Sequence, residues 1–206
     1  MARFASDTGG GDFQPAPEGT HIARCVELID IGTHHGEYQG SPTVRNQVIV
    51  RWELPHETIE IDGKPQPMIG WKFYTNSLGE KANLRADLTA WRGRAFTPEE
   101  LMKFDLQTIL GKPCQVTIVH NDKKKAKVTA VSGLAKGTTC PPAANDPKAF
   151  WIEEWDGDTN APPFADLPKG FRELILQSDE VKERNNPDPE PPRGGKPADF
   201  DDDIPF

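Results

Sequence analysis

SLGEKANLRADLTAW, Ser77 to Trp91, decides the fold, because it sets a helical pattern in the middle of a run of strands. Leu84, Leu88 and Trp91 recur at helical spacing, and Ser77 with Glu80 makes an S-x-x-E start signal, so a helix is expected from about Leu78 to Trp91. Thr97-Pro98-Glu99-Glu100 opens a second short helix in the same way, and Asp105 to Leu110, stopped by Gly111, makes a further turn.

Working outward, three strands precede this insert. GTHIARCVELIDIG, Gly19 to Gly32, has apolar residues on both parities (Ile22, Val26 and Leu28; Ala23, Cys25 and Ile29), as in a coiled strand covered on both faces. HHGEYQGSP, His34 to Pro42, reads as a loop. VRNQVIVRWELP, Val44 to Pro55, alternates Val48, Val50, Trp52 and Leu54 against Gln47, Arg51 and Glu53, which predicts a half-buried strand. Asp62-Gly63 signals a hairpin turn into a third strand, where Ile69, Trp71 and Phe73 oppose Lys72 and Tyr74. Two strands follow the insert, CQVTIVH from Cys114 and KVTAVSG from Lys127, around NDKKKA. The order β-β-β-α-β-β predicts a mainly β fold with a helical insert and fits the OB-fold, a five-stranded barrel, as well as other small mixed domains.

The expected layout is a flexible N-terminal arm over residues 1–18, the barrel domain over 19–136, an extension over 137–184, a disordered Pro/Gly-rich linker over 185–198 and an acidic tip over 199–206. In the extension, Phe171, Leu174 and Ile175 mark a small amphipathic helix starting near Pro168 that pads the barrel or contacts a partner. Twenty Pro, eighteen Gly and 35% hydrophobic residues leave part of the chain unable to pack. No stretch approaches the ~20 apolar residues of a membrane span and Met1 to Gly11 lacks a signal-peptide core, so a cytoplasmic protein is expected. Cys25, Cys114 and Cys140 are odd in number and far apart, which favours reduced, mostly buried thiols. A metal site joining them to His34, His35 or His120 lacks any CxxC or HxxxH spacing, and no cofactor is expected.

Charge is split along the chain. Lys64 to Lys127 holds twelve Lys and Arg against six Asp and Glu, a balance of +6; Gly137 to Phe206 holds seven against sixteen, a balance of -9. That pattern fits a body that binds a polyanion and a tail of opposite sign. Sequence-independent grip on a single nucleic-acid strand needs Lys and Arg along phosphates and aromatic faces under bases. Candidates are Arg45, Arg51, Lys72 and Tyr74 on the second and third strands, Lys81, Arg85 and Arg92 on the first helix, and Lys123, Lys124, Lys125 and Lys127 at the hairpin. Trp52, Trp71 and Phe73 are secondary stacking candidates, being more often core.

The C-terminus reads Asp199-Phe200-Asp201-Asp202-Asp203-Ile204-Pro205-Phe206. A terminal Phe beside its carboxylate, with four nearby aspartates, suits a partner pocket with a basic lip. This segment resembles the acidic tip of bacterial single-stranded DNA-binding proteins. The resemblance implies docking onto replication, recombination and repair proteins through Phe206, with Ile204, Pro205 and the aspartates as auxiliary contacts. SLGEKANLRADLTAWRGRAFTPEELMKFDLQTILGKPCQVTIVH resembles phage-encoded single-stranded DNA-binding proteins, a likeness covering roughly Gly19 to Lys136. It implies an OB-fold that coats single-stranded DNA and a tip that recruits host proteins.

Two other classes compete. An enzyme would show a motif such as H-E-x-x-H, G-x-S-x-G or a phosphate-binding loop, and none occurs in the sequence. An adaptor that fills host docking pockets without touching DNA would not need the basic body.

Overall fold

The computed structural model describes residues 14–61 and 63–186. Among these residues, six strands and four helices run in the order β1 (Gly19–Tyr38), β2 (Ser41–Ile61), β3 (Lys64–Thr75), α1 (Asn83–Arg92), α2 (Pro98–Met102), a 3-10 turn (Leu106–Ile109), β4 (Pro113–His120), β5 (Ala126–Ser132), β6 (Lys148–Phe150), α3 (Lys169–Leu176) and α4 (Asp179–Asn185). The fold is mainly antiparallel β with a few short helices. Among the described residues, no helix is long and apolar enough to cross a membrane.

The sheet path is β3-β2-β1-β4-β5, with β6 added parallel to β1. β1 holds this path together by serving two partners: Gly19 to Arg24 pair with β4, and Arg24 to Tyr38 pair with β2. Irregularities at Cys25/Glu27 and Asp30/Gly32 let so long a strand bend. The outer strands β3 and β5 are not joined by a ladder, but the sheet curls enough to bring them into contact. Gly70 of β3 is the close approach, since a Cβ there would stand 3.1 Å from Cγ2 of Val128. Lys72 Nζ also donates to the Thr129 carbonyl at 2.9 Å.

Local structure departs from expectation at two places. His34 to Pro42 is not a loop: β1 runs to Tyr38 and pairs with Ser41 across a two-residue turn. Gln39 (φ 51) and Gly40 (φ 78) both take the left-handed geometry that matches strand twist in such a turn. The first helix begins at Asn83, not Leu78, because Ser77 Oγ accepts from Gly79 N two residues on instead of from position 80. It ends at Arg92, one residue past the expected Trp91, with Gly93 (φ 67) as its left-handed cap. The Thr97 signal works as read, with Thr97 and Glu100 capping each other across the first turn of α2.

Two cores lie on opposite faces of the sheet. The inner one gathers Val48, Val50, Trp52, Leu54, Leu84, Leu88, Cys114, Val116, Ile118, Val128 and Val131. The outer one places Ile29, Ile31 and Ile49 under Phe150, Ile152, Trp155, Phe164, Leu167, Phe171, Ile175 and Val181. The coverage of β1 on both faces follows its mixed parity. β2, however, is covered on both faces rather than half-buried. Glu53, on its polar side, is 1% exposed and accepts from Ala144 N, Asn145 N and Asn145 Nδ2 at 2.7–3.0 Å. A fully hydrogen-bonded carboxylate can tolerate such burial.

α3 starts after Pro168 and buries Phe171 and Ile175, so it pads the sheet. α4 is tied down by Glu180, which accepts from Thr33 N and Oγ1 at 2.8 and 2.6 Å. Arg184 donates back to the Trp155 and Ile152 carbonyls.

Candidate nucleic-acid interface

The β2–β3 register fixes which way each β3 side chain points. Val48 pairs with Tyr74, Val50 with Lys72 and Trp52 with Gly70, so Tyr74 and Lys72 share the inner face with core residues. Ile49 pairs with Phe73 and Arg51 with Trp71, which puts those aromatics outside. The expectation from polarity is therefore inverted. Tyr74, read as a groove residue, is 3% exposed and donates its hydroxyl to Asp87 Oδ2 at 2.6 Å. Lys72 donates to the same oxygen at 2.6 Å. Burial, followed by the adjacent Asp87 carboxylate, holds the Tyr74 phenol well above the ordinary range. A carboxylate on α1 that satisfies both heads lets two polar residues take core positions.

Trp71 and Phe73 are instead 42% and 39% exposed. Their rings meet edge to face, 5.2 Å apart at 86°, and Phe171 of α3 meets them at 5.5 and 6.2 Å. Each ring keeps solvent access, as a platform for a flat ligand requires.

Two clefts adjoin at these rings. One, of about 440 Å³, runs from Trp71 and Phe73 to Lys125 and Lys127. The other, of about 990 Å³, runs from Phe73 past Lys81 to Arg45 and Gln47. Both are lined by Phe73 and Asn83, so the two clefts adjoin there, one carrying Lys125 and Lys127 and the other Lys81 and Arg45.

The lysine hairpin at one end is locally ordered. Asn121 Oδ1 accepts from Lys123 N and Lys125 N, both at 3.0 Å, and Lys124 N donates to the Asn121 carbonyl. Lys124 takes the left-handed conformation (φ 54) that closes the turn. Lys123, Lys124, Lys125 and Lys127 are all exposed. At the other end Lys81 precedes α1, so it does not share a helical face with Arg85 and Arg92 as the spacing implied.

Other expected contributors are committed elsewhere. Arg51 is paired with the buried Glu27, which also takes Lys148, and lies 6.0 Å from the Phe171 ring. It braces the aromatic group from beneath. Arg92 is paired with Glu100 and stacks over Phe96 and Phe104 at 4.3 and 5.1 Å, pinning α2 to α1. Arg85 is half-buried and donates to the Leu78 carbonyl at 3.3 Å. Trp52 is 1% exposed and packs 6.3 Å from Trp91, so it is core. The tip, Asp199 to Phe206, lies outside the described residues, as do residues 187–198 of the linker.

Cys25, Cys114 and Cys140 are free thiols. Burial pushes Cys25 up to about 12 and raises Cys114 as well, which keeps both protonated and inert. His34 and His120 lie 2.8 Å from the Ile31 and Ala16 carbonyls, and His35 lies 2.7 Å from Asp179. Among the described residues, no group of three His, Cys, Asp or Glu could hold a metal ion.

Sequence reasoning missed the contact of Phe171 with Trp71 and Phe73. The signal available was the amphipathic stripe of α3, which says that Phe171 is buried but not against what. No family model matches the chain, and no curated protein matches it in sequence.

Proposed function

We propose that this chain binds single-stranded DNA without sequence preference and presents the bound strand to replication, recombination and repair proteins through Asp199–Phe206. The observation that carries the reading is the solvent-facing pair Trp71 and Phe73 where two clefts adjoin, one lined by Lys125 and Lys127 and the other by Lys81 and Arg45. Bases stack on aromatic faces whatever their identity, and phosphates need only a cationic rim. A duplex hides its base faces and cannot use such a platform. The strand path with its helical insert supports reading the curled sheet as an OB-type barrel, with ligand over β3 and beside the β4–β5 hairpin. The role is one of binding rather than catalysis, in the cytoplasm of a phage-infected cell, and the tip supplies the recruiting contact.

The test is a titration of labelled oligo-dT, oligo-rA and duplex over a salt series, with the full chain and with residues 1–198. Tight binding of dT over duplex, with affinity falling as salt rises, supports the reading. No dT binding at low salt, or affinity indifferent to salt, overturns it and leaves the adaptor that docks without DNA.

A further inference from the structure

We infer that the C-terminal extension is a working part of the nucleic-acid site, with Phe171 as the residue that positions Trp71 and Phe73. The inference rests on the DNA-binding reading and says where its stacking platform gets its order. Trp71 and Phe73 sit on the outer face of β3, near the open side of the sheet path. Two large rings that exposed would sample several rotamers without a neighbour. Phe171 supplies one: it meets Trp71 at 5.5 Å and 79° and Phe73 at 6.2 Å and 78°, edge to face in both cases.

The positioning ring is itself held. Phe171 is 9% exposed and belongs to the outer core. Beneath it, Arg51 lies 6.0 Å from the ring with its guanidinium fixed on Glu27. Glu27 also takes Lys148 of β6 at 3.4 Å, so extension and sheet share one buried anchor. Extension, arginine and platform thus form a continuous set of contacts, and a strand bound on the platform should feel whether α3 is docked. Holding two aromatic side chains ready before binding removes the ordering cost that a loose platform would meet on association, an effect of about fivefold to tenfold in affinity.

The experiment measures oligo-dT affinity, at one salt concentration, for Phe171→Leu, Phe171→Met and Phe171→Tyr, each alone and with Trp71→Ala and Phe73→Ala. Ile175→Val serves as control, since it disturbs the same helix without touching the platform, and urea unfolding reports stability for all. Phe171→Leu and Phe171→Met should each lose about fivefold to tenfold, Phe171→Tyr should bind like the parent chain, and Ile175→Val should lose stability but not affinity. In the Trp71→Ala, Phe73→Ala background the Phe171 changes should cost nothing further, because the groups they position are gone. Reciprocally, dT should slow hydrogen exchange of α3 amides. Parent-like affinity in Phe171→Leu and Phe171→Met, an equal loss in Ile175→Val, or a full further loss in the platform-less background overturns the inference. Those results leave the DNA-binding reading standing, whereas failure of the parent chain to bind dT removes the reading itself.

Discussion

The two faces of β3 reverse the usual placing of polar and apolar residues. On the inner face Tyr74 and Lys72 converge on a single oxygen of Asp87, and their polar heads are satisfied away from water. On the outer face Trp71 and Phe73 remain in solvent, steadied by Phe171 but left open above the cleft. A polar residue with a partner can be core, and an apolar residue steadied by a neighbouring ring can be surface. Polarity names the side chain; the register and the partners decide the face.

Removing the inner partner should therefore weaken the fold, and removing the outer rings should weaken binding. Asp87→Ala strands the Tyr74 hydroxyl and leaves the mostly buried Lys72 ammonium with the Thr129 carbonyl but no counter-charge, and should cost about 3 kcal/mol or more of stability in urea titrations. Retained stability would mean that water satisfies both heads and that the inner face is not closed. Trp71→Ala with Phe73→Ala should spare stability to within about 1 kcal/mol yet reduce dT affinity by about 30-fold or more, at about 1–3 kcal/mol per stacked base. Undiminished affinity would move the base-binding surface off β3.

The comparison also explains what could be read in advance. Val48, Val50, Trp52 and Leu54 alternate over one strand, and all four are buried as their parity requires. Strand order, the position of the helical insert and the lysine hairpin were equally legible, because each is written in contiguous residues. The face of β3 was not, since Tyr74 is inner only through Asp87, thirteen residues away in a helix. The double coverage of β2 escaped for a similar reason. It depends on Asn145 capping Glu53 from 92 residues downstream, and on β6, a three-residue strand too short for periodicity to show. At the candidate site the cationic half was readable as charge, but Arg51 and Arg92 could be told from Lys125 and Lys127 only by their acid partners.

Those lysines set the electrostatic limit of the outer face. Lys125→Ala with Lys127→Ala leaves the rings in place, so stacking should persist while the salt dependence weakens. Each lost phosphate contact should reduce the slope of log affinity against log salt by about 0.7 on a single strand, about 1.4 for both. An unchanged slope would assign the phosphate path to the cleft lined by Arg45 and Lys81 instead.

The smallest expected effect is the most specific to the inner face. Tyr74→Phe keeps the ring and removes one hydroxyl whose partner Asp87 still holds Lys72, so near neutral pH it should cost about 1 kcal/mol. Its pH dependence separates a buried phenol from a groove phenol. The folded-state pKa of Tyr74 is raised, first by burial and then by the Asp87 carboxylate. Its stabilisation is therefore complete below the unfolded phenol value of about 10. It declines as pH rises beyond that, since only the unfolded state gives up the proton. The stability gap between parent and Tyr74→Phe should thus narrow above about pH 10 and then change sign. The buried thiol of Cys25, raised to about 12, also erodes stability at high pH, but it does so in both proteins and cancels in the difference. A gap that stayed constant through this range would mean that the phenol ionises as freely in the fold as out of it, and the inner face of β3 would then be open to solvent like the outer one.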